Sequence, residues 1–116
     1  MPRKKAAPPA DWNVLVFLNA KNDLEPYSFL NFDQMARVGS TDRVNVLVEF
    51  GRPQRHYVDL YGAWSKTLRF RVTKGMKPTE AKALADLGAV NMGDGAALAD
   101  FVTWARQEYP AQRTLL

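Results

Sequence analysis

Two apolar runs of strand length, separated by one helix signal, constrain this chain more than anything else in it. Trp12-Asn-Val-Leu-Val-Phe-Leu-Asn-Ala20 and Val44-Asn-Val-Leu-Val-Glu-Phe50 are nearly continuous and rich in Val and aromatic residues. Such runs suit strands covered on both faces, as in parallel sheets. Asn22 and Asp23 break the first run, Asp23 or a neighbour is placed to cap a helix, and Pro26 fits the first helical turn. Phe29, Phe32 and Ala36, with Met35 adjacent, then recur at helical spacing until Gly39-Ser40 closes the segment after Val38. Strand, helix and strand with short connections spell a βαβ unit, so an α/β fold with a parallel sheet is expected.

The pattern changes after Gly51-Arg52-Pro53. Arg55 to Tyr61 and Thr67 to Thr73 alternate polar and apolar residues, with Gly62-Ala63-Trp64 between them, and predict an antiparallel hairpin appended to the parallel sheet. Thr79 is placed to cap a short helix through Ala81, Ala83, Leu84 and Ala85 that ends near Gly88. Gly93-Asp94-Gly95 breaks the chain again, with Asp94 as a helix cap. Leu98, Phe101, Val102, Ala105 and Tyr109 then form an apolar stripe at helical period, opposite Asp100, Arg106, Gln107 and Glu108. Pro110 stops that helix, and Arg113 to Leu116 reads as the opening of a buried strand.

With 116 residues and 47% hydrophobic content, one core is expected. The absence of cysteine rules out disulfides, thiolate metal sites and a cysteine nucleophile within this chain. The net charge of +4 owes three of its basic residues, Arg3, Lys4 and Lys5, to a proline-rich segment, residues 1–10, read as a flexible tail ahead of one α/β domain, residues 11–116. Without them the charge is close to balanced, which argues against nucleic acid as a partner. No apolar stretch follows Lys5 to make a signal peptide, and no run is long enough to span a membrane, so a cytoplasmic, membrane-independent protein is expected. No glycine-rich phosphate loop occurs, and no cofactor or metal is expected.

Two blocks of the chain carry a family resemblance. The first is Trp12 to Phe17, Asn22-Asp-Leu-Glu-Pro-Tyr27, Val38-Gly-Ser40 and Val44 to Val48. The second is Leu87-Gly-Ala-Val-Asn-Met-Gly-Asp94, followed by Leu98, Asp100, Phe101, Trp104, Ala105 and Tyr109-Pro-Ala111. Together they resemble the N-terminal half of the clostripain-like cysteine peptidases, with Ala89 where that pattern has glutamate and Gly95 where it has proline. The resemblance implies the N-terminal piece of a caspase-like α/β/α sandwich. It also implies that the strand begun at Arg113 would end in the family's catalytic histidine and a later strand in its cysteine. Neither residue is in this sequence, so the chain alone is expected to be inactive and the peptide or protein substrate to belong to the full domain. If the family reading holds, self-association through the open sheet edge is expected; the alternative is a non-catalytic interaction module that pairs that edge with another chain.

Ligands of open parallel sheets bind beyond the carboxyl ends of the strands. Those ends present Asn19, Lys21, Asn22 and Asp23 after the first run and Glu49, Gly51 and Arg52 after the second. Asn19, Asn22, Asp23 and Arg52 are the candidates for lining a substrate cleft, against a plainer reading of Asp23 as a cap and Arg52 as a solvated loop residue. His56, the only histidine, lies on the expected hairpin and fits no family motif, so a surface or edge-strand role is expected for it. Asp94 and Asp100 flank a helix start without forming a metal pair, and Trp104 is read as core.

Overall fold

The computed structural model of the chain describes residues 8–116. Residues 1–7 of the expected tail lie outside the described residues, and Ala10 is buried and opens the first strand. Strand β1 spans Ala10–Asn19, helix α1 Glu25–Val38 and strand β2 Val44–Gly51. β1 and β2 pair in parallel, with Val14 opposite Val46 and Val16 opposite Val48. Strands β3, Thr67–Arg71, and β4, Ala85–Gly88, follow, then helix α2, Gly95–Glu108, and strand β5, Ala111–Leu115. The five-stranded sheet has the order β4-β3-β2-β1-β5, in which β5 is parallel to β1 while β3 is antiparallel to β2 and β4.

Alternation along the strands sends side chains to two faces, and each face has its helix. Val48, Phe50, Leu68, Phe70 and Val72 meet Phe29, Phe32 and Ala36 of α1. Ring contacts tie that layer together, Phe32 lying 5.3 Å from Phe70 and Phe50 5.2 Å from Trp64. Burying one such ring contributes roughly 1.5–3 kcal/mol. Leu15 and Leu47 face the other way, onto Phe101 and Ala105 of α2. A polar row crosses the same face. Asn13 donates to the Tyr109 carbonyl at 2.6 Å, Asn45 donates to Asn13 Oδ1 at 2.9 Å, and Arg71 Nε donates to Asn45 Oδ1 at 2.9 Å.

The helix boundaries follow local chemistry. Pro26 sits in the first turn of α1, but no side chain caps Leu24 at its start. Asn22 Oδ1 instead accepts the Leu24 N–H, so Asn22, not Asp23, shapes the entry. Gly39 ends the helix at φ +73°, where a Cβ would collide with the Lys74 backbone. Asp94 caps α2 as expected, accepting the Ala96 N–H at 3.0 Å.

Two expected elements are different in the structure. Residues 55–60 form no strand: the antiparallel partners of β3 are β2 and β4, so the hairpin is built from other segments than Arg55 to Tyr61. The alanine-rich stretch after Thr79 makes only a single turn, Glu80–Lys82, before entering β4, because pairing with β3 overrides its local helix preference. β5 is also not buried: beyond Ala111 its residues are exposed, and it runs along the sheet edge.

Candidate functional site

The carboxyl ends of β1 and β2 form one rim of the molecule. Asn19 ends β1 exposed, and its Oδ1 accepts the Lys21 N–H at 3.3 Å. Lys21 Nζ donates to the Val90 carbonyl, which draws the Asn91-Met92-Gly93-Asp94 segment over the rim. Gly51 makes room for that segment, since a Cβ there would run into Met92 Sδ and the Lys21 side chain, and Met92 is buried as a result. Asn22 and Asp23 are exposed beside it. An open cavity of about 170 Å³ lies at this rim, lined by Leu18, Asn19, Ala20, Leu24 and Tyr27 among others. That volume suits one side chain of a ligand rather than a whole small molecule.

Arg52 departs from the plainer expectation of a solvated loop residue. Its side chain is 0% exposed, and Nε donates to Glu25 Oε2 at 2.7 Å. NH1 donates to the Leu60 carbonyl at 3.0 Å, and the guanidinium lies 4.8 Å from the Phe29 ring centroid and 4.7 Å from that of Trp64. The planar cation fills the space between two aromatic rings while its edge serves a carboxylate and a carbonyl. Arg52 therefore supports the rim from inside, whereas Asn19, Asn22 and Asp23 stand on its surface.

His56 is likewise not a surface or edge-strand residue. Its Nδ1 lies 2.8 Å from Glu25 Oε2 and its Nε2 2.7 Å from Ser65 Oγ, with the side chain 15% exposed. Glu25 Oε1 accepts the Tyr57 N–H at 2.7 Å. Burial acts to raise the Glu25 pKa, but the hydrogen bonds from His56, Tyr57 and Arg52, with the Arg52 charge, outweigh it and hold the carboxyl below its ordinary value.

A second ionic group faces α2. Arg69 Nε donates to Glu49 Oε1 and NH2 to Asp100 Oδ2, each at 2.8 Å, and the guanidinium lies 4.9 Å from the Trp104 ring. Trp104 is half-buried, stacked on Phe101. Glu49 Oε2 is buried with no hydrogen-bond partner among the described residues, and burial raises the Glu49 pKa against the pull of Arg69. Among the described residues no cluster of His, Cys, Asp or Glu is arranged to hold a metal ion, and no helix is long and apolar enough to cross a membrane.

The partners of Arg52 and His56 were hidden from sequence reasoning because they come from Glu25, 27 and 31 residues away. The available signal was a glutamate in the first turn of a helix, which reads equally well as an exposed dipole partner.

The sequence matches no family model. No curated protein matches it either. Among solved structures, the fold is similar to that of a B. fragilis cysteine protease, with a TM-score of 0.65 and 19% identity over 90% of this chain and 82% of that one. The chain has the α/β fold of a cysteine protease: a mixed sheet with a parallel centre, antiparallel strands on one side and a helix on each face.

Proposed function

We propose that this chain is the N-terminal part of a clostripain-like cysteine endopeptidase domain, in which a histidine-assisted thiolate supplied by later segments attacks a peptide carbonyl, often after a basic residue. The position of β5 carries this reading. It runs parallel to β1 and pairs as far as Val14 with Leu115. A strand continuing from there would run beside Leu15 to Asn19 and finish at the rim that holds Asn19, Asn22 and Asp23. A residue at its end would face the same cleft. The two sequence blocks and the likeness to a cysteine protease support the same conclusion. Within it, Asn19, Asn22 and Asp23 line the substrate cleft, Asp23 offering a carboxylate to a basic peptide side chain, and Arg52 holds the rim in shape.

The test is to express the chain together with the segment encoded downstream, through the strands ending in histidine and cysteine, and to assay cleavage of Arg- and Lys-containing peptides. The extended protein should cleave them and lose activity on thiol alkylation, while the 116-residue chain should not.

The edge of β1 from Leu15 to Asn19 has no strand partner on the β5 side among the described residues, and this supports a second reading. In it the chain is a non-catalytic module whose open edge receives a strand from another protein. Absence of peptidase activity in every extended form, with stable co-purification of a partner protein, would favour that reading.

A further inference from the structure

The geometry points to a reactive centre separate from any cysteine chemistry: Ser65, with His56 as its base and Glu25 as the carboxylate that positions the base, takes an acyl group from activated carboxylic esters. Ser65 Oγ lies 2.7 Å from His56 Nε2, and His56 Nδ1 lies 2.8 Å from Glu25 Oε2. The protonation pattern follows from the partners. Glu25 is fully buried and held as a carboxylate by Arg52 Nε and the Tyr57 N–H, so it can only accept. His56 must then carry a proton on Nδ1, and in the neutral ring the Nε2 lone pair faces the Ser65 hydroxyl. The contact of Ser65 Oγ with the Ala63 carbonyl is much longer, at 3.4 Å. This is the nucleophile, base and carboxylate order of acyl-transfer sites.

The surroundings fit such a site. Ser65 is exposed while the carboxylate is not, so the reactive end faces solvent and the orienting end is dry. Three successive residues before it have positive φ, Tyr61 at 55°, Gly62 at 78° and Ala63 at 50°. Two of them are not glycine, and backbone strain of this kind concentrates at functional sites. Trp64 pins the segment, its indole N–H donating to the Pro78 carbonyl at 2.9 Å. Tyr57 and Leu60 expose apolar surface on the loop that carries His56, so the acyl group of a suitable ester is apolar.

In the step itself the Ser65 Oγ–carbonyl bond forms as the proton moves to His56 Nε2. The bond to the leaving oxygen breaks, and His56 returns the proton to that oxygen. Water, giving a proton to His56 Nε2, then attacks the acyl carbonyl; the bond to Ser65 Oγ breaks, the carboxylic acid leaves, and His56 returns the proton to Ser65 Oγ.

The experiment treats the 116-residue chain with 4-nitrophenyl butyrate and, separately, with an alkyl fluorophosphonate, which bonds to the serine oxygen with loss of fluoride. Peptide mass mapping should find one adduct, on Ser65. Ser65→Ala should abolish it and His56→Gln should slow it about 100-fold, both variants keeping the parent circular dichroism. Because His56 is the only histidine, its Nδ1–H proton resonance is unambiguous. That signal should lie far downfield in the parent and disappear in Glu25→Gln with a parallel loss of labelling, which a merely structural role for Glu25 would not produce. If Glu25→Gln fails to fold, the other two variants decide. Adducts elsewhere than Ser65, or equal labelling of His56→Gln, would overturn the inference. Neither result bears on the endopeptidase reading, whose test uses a thiol absent from this chain.

Discussion

Glu25 and Arg52 stand 27 residues apart in sequence and meet at 2.7 Å with both side chains fully buried, joining the first turn of α1 to the end of β2. Removing one member of such a pair leaves an uncompensated buried charge, at a cost of roughly 3–5 kcal/mol. Arg52→Ala should therefore unfold at a much lower urea concentration than the parent, and adding Glu25→Leu to it should recover part of the loss. A midpoint within error of the parent would show that Glu25 does not depend on Arg52.

Opposite pKa shifts at two buried glutamates predict opposite pH limbs. Glu25 lies below its ordinary value, so the stability linked to it is present above the unfolded-state pKa and is lost as pH falls through the lowered folded value. Glu49 lies above its ordinary value, so its contribution is complete below the unfolded-state pKa and is lost as pH rises through the raised folded value. Urea midpoints followed from about pH 3 to 7 should show Glu25→Gln flattening the acid limb and Glu49→Gln flattening the decline on the rising side.

On α2, the cost of a substitution should follow burial. Phe101 is 0% exposed between β1 and Trp104, and Phe101→Ala should cost about 3–5 kcal/mol. Asp94→Ala should cost about 1 kcal/mol through loss of the cap. Thermal melts of the two variants should keep that order.

Gly51 and Met92 compete for one space at the rim. Gly51→Ala should displace the Asn91 to Asp94 segment and lower stability, and Met92→Ala should partly restore it by vacating the volume a Cβ needs. Additive losses in the double variant would mean that the two positions do not share a site.

The uncovered edge of β1 predicts concentration-dependent self-association of the 116-residue chain, visible in sedimentation velocity and suppressed by the extension that continues β5. A monodisperse monomer, unchanged by the extension, would show that the edge is closed by other means.

β1 and β2 were legible as nearly continuous apolar runs of strand length, and α1 and α2 as apolar stripes at helical spacing. Residues 55–60 misled because they alternate like a strand, whereas in the fold the Val58 and Leu60 carbonyls bind the Arg52 guanidinium. Ala85 to Gly88 looked helical because alanine favours helices locally, and only β3 supplies the reason for a strand there. The buried partners of Arg52 and His56 had no local signature, since a charged residue in a loop reads as solvated until a distant carboxylate is known to face it.

The row of amides linking Tyr109, Asn13, Asn45 and Arg71 has a consequence for how the sheet assembles. Apolar strands such as β1 and β2, with valine and leucine on both faces, lose little packing if they slide past one another, because one branched side chain replaces another. Amides do not interchange in this way. A slip of one residue would carry Asn45 to the opposite face, among the aromatic side chains of the α1 layer, and leave Asn13 without its donor and Arg71 without its acceptor. The row thus serves as an alignment key for three strands and the end of α2 at once, and it makes near-native misalignments costly where hydrophobicity alone would tolerate them.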